Sequence, residues 1–268
     1  MIKDNNNENL INKQSYEFGD LLRVMEALLA PDGCPWDREQ THDSLKRYMI
    51  EEAYETLEAI DAGDAAMLCE ELGDVLLQIV FHAKIASSFT IDDVIGGVCK
   101  KMISRHPHVF GSAVANTPDE VLTRWEDIKR DEKGFTDYAQ TLKSVPSNLP
   151  ALMRAYKVQQ KARDAGFDWD DINPVLDKVE EELKELRGAV ASRDNASVES
   201  ELGDLLFATV NLSRFAHTHP ELALTASTEK FIKRFAAMEN MITGEGLNIT
   251  DMTLGEMDVY WERVKISE

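Results

Sequence analysis

The residues of this sequence that could do chemistry are acids at helical spacing. Glu52 and Glu55 stand three apart, and so do Glu71 and Asp74 further on. Shifted by 130 residues, Glu182, Glu185, Glu201 and Asp204 repeat the arrangement without a gap. On a helix, residues three apart share a face, so each pair presents two carboxylates side by side. If the two helices of a copy pack antiparallel through a short turn, four carboxylates converge. Such a group repels itself until protonation or a bound cation relieves it. An all-oxygen set suits Mg²⁺, with Mn²⁺ as a substitute, better than Zn²⁺. Acids at this spacing are more often a solvated helix face. Against that reading stand the second pair on the next helix, the repetition, and Leu72 and Val75, which set the acids at the edge of an apolar stripe.

A basic set supplies the complement. Lys230 and Arg234 are four apart, as are Trp261 and Lys265, and Lys101, Arg105, Trp125 and Lys129 echo them in the first half. Cations beside a carboxylate-held metal are what a polyphosphate requires, and a tryptophan can stack on a base. His106 and His108 flank Pro107 without a cysteine partner and read as a turn. No GxxxxGK[ST], GxGxxG or GxSxG motif occurs, and Cys34 in Gly33-Cys34-Pro35-Trp36 has nothing that would make it a nucleophile.

The elements that must carry these residues are helices. Alternating β-branched runs are nearly absent, whereas Leu68, Leu72, Val75, Leu76, Ile79 and Val80, and later Leu202, Leu205, Leu206 and Val210, recur at threes and fours. The expectation is an all-α protein built as a tandem repeat of two four-helix-type domains. Helices are expected near 16–30, 43–61, 64–88, 91–104 and 118–131, and again near 150–165, 174–192, 195–217, 220–242 and 254–265. Thr117-Pro118 reads as an N-cap with a first-turn proline, and Gly63 and Gly111 as stops. The organisation expected is a mobile arm over 1–15, a first domain over 16–132, a linker over 133–149 carrying Gly134 and Pro146, and a second domain over 150–268.

Composition narrows the function. With 43% hydrophobic and 29% charged residues among 268, each half can bury a core. A net charge of −20 argues against nucleic acid or an anionic membrane as partner. The best apolar run, Val75 to Ala86, is broken by Gln78, His82 and Lys84, and the opening residues lack a secretory pattern. Cys34, Cys69 and Cys99 form no CxxC pair and read as reduced, mostly buried thiols of a cytoplasmic protein.

EExxE followed by ExxD resembles the signature of the MazG family of all-α nucleoside triphosphate pyrophosphohydrolases. Gly166-Phe167-Asp168-Trp169 and the run from Glu201 to Leu212 strengthen the resemblance, which spans about residues 16–268. It implies a tandem of MazG-like domains, a homodimer, and Mg²⁺-dependent hydrolysis of NTPs and dNTPs to monophosphate and pyrophosphate, serving nucleotide clearance or stress physiology. It also implies that the C-terminal copy is the catalytic one. Carried onto this chain, the metal ligands fall on Glu182, Glu185, Glu201 and Asp204, with Glu52, Glu55, Glu71 and Asp74 as a second candidate set. Substrate contacts fall on Lys178, Lys230, Arg234, Trp261 and Lys265. Glu181, Glu182 and Glu185 are the catalytic candidates, and spacing leaves the base open between Glu181 and Glu182. The family's frequent lysine four residues before the ExxD glutamate is replaced by Ser197. Two other classes are compatible with paired helical acids. A di-iron bundle needs ExxH, which neither copy has; a helical adaptor would bind nucleotide or metal without turnover.

Overall fold

The computed structural model describes residues 10–132, 134–135 and 137–267. Every regular element among them is helical, and the chain divides into two compact units between Lys129 and Arg130. The first unit contains α1 (Phe18–Leu29), α2 (Lys46–Ala62), α3 (Ala65–Ile85) and α4 (Ile91–Arg105), and α5 (Pro118–Glu132) runs to its end. The second contains α6 (Tyr138–Lys143), α7 (Ala151–Asp164), α8 (Asn173–Ser192), α9 (Asn195–Phe215), α10 (Pro220–Gly244) and α11 (Leu254–Ser267).

The repeat is visible in the two helical hairpins, α2–α3 and α8–α9, which dominate the packing of their units. Each turns the corner in the same way. Gly63 ends α2 with φ 66°, and Arg193 ends α8 with φ 55°, both in the left-handed region. Glycine takes that conformation without penalty, while arginine costs about 1–2 kcal/mol there. The following residue then caps the next helix. Asp64 accepts from the amides of Ala66 and Met67, and Asp194 accepts from Ala196. Ser197 Oγ donates to Asp194 Oδ2 at 2.7 Å, so Ser197 serves the helix cap. Thr117 Oγ1 accepts from the amide of Glu120 ahead of α5, as its sequence implied. Gly111 follows the single turn Pro107–Phe110 in an extended conformation, and a side chain there would meet the Pro107 carbonyl.

α1 packs on α3 around Met25, Leu45, Val80 and Phe81. In the second unit α7 lies against α9, and α10 pairs with α11 around Met238, Ile242, Tyr260 and Val264. Three expectations need correction. Residues 1–9 of the expected arm lie outside the described residues, but 10–15 are anchored: Leu10 is buried, the Tyr16 hydroxyl donates to its carbonyl, and Lys13 pairs with buried Asp20. The segment expected as a linker holds α6, packed on α7, with Thr141 and Val145 buried, so its apolar residues join the second unit. Cys69 and Cys99 are exposed and Cys34 is half-buried, because the helix packing of the first unit does not cover them; all three are free thiols.

Candidate active site

The helical hairpin makes the acids converge. Glu182 is on α8 facing α9, and one carboxylate oxygen from each of Glu182, Glu201 and Asp204 lies within 4.8 Å of the others. Glu181, Glu182 and Glu185 form an overlapping group at the same spacing. Glu182 is 5% exposed, whereas Glu181 and Glu185 face solvent. Desolvation first, and then the charges of Glu185, Asp204 and Glu182, push the Glu201 carboxyl above the usual range. That direction is what desolvation and neighbouring like charges impose on a carboxylate. Chemically, the set offers several oxygen donors and nothing softer, which fits Mg²⁺ or Mn²⁺.

The first unit builds the same feature. Glu52, Glu55 and Glu71 bring oxygens within 4.8 Å of one another. Glu52 is pushed up by desolvation, then by Asp74, Glu55 and Glu71, and Glu71 by desolvation, then by Glu55 and Asp74. The copies differ in the residue one turn earlier. Lys178 reaches Glu182 at 2.6 Å and Glu181 at 2.8 Å, and these bonds hold its ammonium above the usual lysine range. At the matching position Tyr48 packs its ring edge against Trp36, with centroids 5.7 Å apart, and takes a hydrogen bond from Arg47.

Lys178, Glu182 and Asp204 also form part of the wall of a 410 Å³ pocket between α7, α8 and α9. Its other walls are mostly apolar, from Leu142, Val158, Phe167, Trp169 and Phe207, with Gln159, Asp168, Asn211 and Arg214 as the polar exceptions. Arg214 donates to both oxygens of Asp168 and to Asn211 Oδ1.

Not every expected residue is here. Lys230 and Arg234 sit on α10, and Trp261 and Lys265 on α11; none of the four lines the pocket. Trp261 packs on Phe231, and Lys265 donates to Glu262 at 2.7 Å. In the first unit the Arg105 guanidinium lies 5.1 Å from the Trp125 ring centre. His106 and His108 belong to the turn around Pro107: His106 Nδ1 lies 2.6 Å from the Met102 carbonyl. Sequence reasoning missed Gln159, Asn211 and the Asp168–Arg214 pair. Comparing the copies position by position would have found one of them, since Asn211 stands 130 residues after Phe81, a core residue.

The comparisons with known proteins point the same way. The model of the MazG nucleotide pyrophosphohydrolase domain matches twice, over residues 40–110 and 172–238, each match taking in one acidic hairpin. The chain is 48% identical over 251 residues to the nucleoside triphosphate pyrophosphohydrolase/pyrophosphatase MazG of Thermotoga maritima, covering 92% of this chain and 95% of that protein. It is 44% identical over 256 residues to the nucleoside triphosphate pyrophosphohydrolase of Escherichia coli K12, covering 92% and 97%. With both copies of the domain matched and whole-length relatives at this identity, the chain belongs to the MazG nucleotide pyrophosphohydrolase family.

Proposed function

We propose that the second unit hydrolyses nucleoside and deoxynucleoside triphosphates to the monophosphate and pyrophosphate, with Mg²⁺ held by Glu182, Glu185, Glu201 and Asp204. The observation that carries this reading is one pocket whose wall combines Glu182, Asp204 and Lys178 with an apolar chamber large enough for a small organic ligand. The metal would neutralise the triphosphate and polarise the phosphorus under attack. Lys178 is the cation best placed to follow a phosphate, exchanging its carboxylate partners for phosphate oxygens. Glu181, exposed, and Glu182, buried, are the carboxylates that can take a proton from the attacking water. Nucleotide clearance is the physiological role consistent with this activity.

The direct test is chromatography of the products from a panel of NTPs and dNTPs with and without Mg²⁺. The expected result is monophosphate plus pyrophosphate, abolished by a chelator and restored by Mg²⁺. Diphosphate plus orthophosphate as primary products would overturn the reaction class, and binding without turnover would favour the adaptor reading.

We also propose that the chain works as a homodimer. Leu202, Leu206, Leu222, Phe231, Ile232 and Phe235 are all exposed on α9 and α10, more apolar helix surface than one soluble copy ordinarily leaves to water. A second copy laid on these faces would cover it. It would also give the cations and tryptophan of α10 and α11 a route to the acids of α8 and α9. Light scattering at micromolar concentration is expected to give about twice the 30.2 kDa chain mass; a value near 30 kDa at every concentration would refute the pairing. Among the described residues no helix is long and apolar enough to cross a membrane, in keeping with a cytoplasmic site of action.

A further inference from the structure

His42 and His82 make a contact in the first unit that the chemistry proposed above does not use. Their Nδ1 atoms lie 2.8 Å apart, across 40 residues of sequence. The ring planes are 8° apart and the ring centroids 5.1 Å apart. That separation equals the nitrogen-to-nitrogen distance plus the two ring radii, so the imidazoles lie edge to edge in one plane, nitrogen facing nitrogen. Such a contact holds a single proton: one Nδ1–H donates and the other Nδ1 accepts along its lone pair. It joins the turn that enters α2 to α3. His42 is exposed, with the Phe89 ring 6.3 Å away. His82 is half-buried and stands in sequence between the buried residues Phe81 and Ala83.

The sister copy shows that packing does not demand histidine at either position. Shifted by 130 residues, His42 falls on Ile172, at the N-cap of α8, and His82 on Leu212 of α9. Isoleucine and leucine serve apolar burial better than imidazole does, and an aliphatic pair is indifferent to pH. The exchange gives the first unit a proton-binding contact that the second lacks.

The neutral pair carries one proton between the two Nδ1 atoms, and the accepting ring has its own on Nε2. A first extra proton enters at Nε2 of the donating ring and leaves the bond in place. A second must go onto the accepting Nδ1, which sets two N–H groups head to head and two positive charges in contact. No carboxylate relieves this. Burial first, and then His42, hold His82 below the usual histidine range. The acids on the surrounding elements have other partners or stand off: Asp43 pairs with Lys46, Glu26 of α1 with Lys84, and Asp93 of α4 accepts from Thr90, while Asp92 is exposed. Asp74 is two turns earlier on α3, about 12 Å along the helix.

We propose that His42 and His82 form a proton-sensitive latch between α3 and the turn that enters α2, closed while the pair holds at most one extra proton and released when both imidazoles are charged. Leu45, three residues after His42, is buried in the core cluster with Met25, Val80 and Phe81, so release loosens the first unit at its core. Unfolded imidazoles take up protons as the pH falls through about 6.5, whereas the closed latch refuses the second. The stability that the contact supplies is therefore complete above that pH and is lost as the pH falls below it. The second unit, with Ile172 and Leu212 at these positions, has no such dependence there.

Hydrogen exchange on the full-length protein tests this, at pH 7.5 and 5.0 with rates corrected for the intrinsic effect of pH. Protection over residues 41–49 is expected to fall by about tenfold or more in the wild type, as when one proton is excluded over at least one pH unit. The matching residues 171–179 keep theirs, and His42→Ile combined with His82→Leu, which installs the second copy's residues, abolishes the fall. Unchanged protection over 41–49 overturns the proposal, and so does an equal fall over 171–179 or in the double variant. A second readout needs no double variant. In spectra of the wild type labelled with ¹⁵N-histidine, the pair is expected to titrate in two steps more than about one pH unit apart, and His42→Gln to leave His82 a single step. Coincident titrations of the two imidazoles in the wild type overturn the latch whatever the variants do.

Discussion

Glu182→Gln and Asp204→Asn are each expected to remove at least about a hundredfold of kcat, on the order of 3 kcal/mol of transition-state stabilisation, while Glu52→Gln and Asp74→Asn leave most activity in place. Both hairpins crowd their acids in the same way, as the raised Glu201, Glu52 and Glu71 carboxyls indicate. Acid geometry alone would make the two sites equivalent. The asymmetry comes from the position one turn before the first glutamate. Lys178 brings a positive charge to Glu181 and Glu182, whereas Tyr48 has no charge to offer and its hydroxyl is engaged by Arg47. A triphosphate arriving beside the metal needs that charge, and a phenol cannot replace it. The chamber adds to the difference, since the polar pair Gln159 and Asn211 faces it in the second unit while Phe81 fills the first unit's core. Steady-state kinetics with a Mg²⁺ titration checks this, because loss of a metal ligand raises the Mg²⁺ requirement as well as lowering kcat. Equal losses from both sets of variants would mean that both sites turn over or are coupled, and a selective loss from the first set would reverse the assignment.

The helices and the acidic convergence could be read from the sequence because both depend on local periodicity. Apolar residues at threes and fours specify a buried stripe. Acids three apart specify a shared face, and a short turn after Gly63 or Arg193 leaves the next helix little choice but to fold back. Nonlocal information was harder to recover. The stripe of α9 is buried at Val210 but exposed at Leu202 and Leu206; periodicity identifies an apolar face without saying which neighbour covers each turn of it. For the same reason Lys230, Arg234, Trp261 and Lys265, correctly placed on two helices, could be grouped with the acids on paper although in one copy α10 and α11 pack chiefly on each other. The glycine and prolines around α6 have the composition of a linker, yet Val145 buries its side chain in the second unit. Gln159 has no motif at all: its meaning depends on the Phe207 carbonyl, 48 residues away in sequence.

Replacing Asp168 by leucine is expected to lower the stability of the protein by about 3 kcal/mol, more than any exposed ion pair in the molecule could contribute. The side chain of Arg214 is 8% exposed and that of Asp168 18%, so the pair lies largely out of water. Two nitrogens of the guanidinium donate to the two carboxylate oxygens, a forked geometry that lysine could not reproduce. Asp168 comes from the turn that follows α7, just after Gly166 with its φ of 85°, and Arg214 from the last turn of α9. Their bond therefore ties that turn, with Phe167 and Trp169 in it, to the helix that carries Asp204. Removing the carboxylate leaves a buried cation held by Asn211 Oδ1 and the face of the Phe215 ring, and the cost is chiefly that of the stranded charge. The double replacement Asp168→Leu with Arg214→Met should consequently be less destabilised than Asp168→Leu alone, since it removes the charge along with its partner. Urea unfolding of the three proteins measures both quantities. A loss below about 1 kcal/mol for the single variant would mean that the pair behaves as a solvated surface bridge. A double variant no better than the single would mean that geometry, rather than the unpaired charge, sets the penalty.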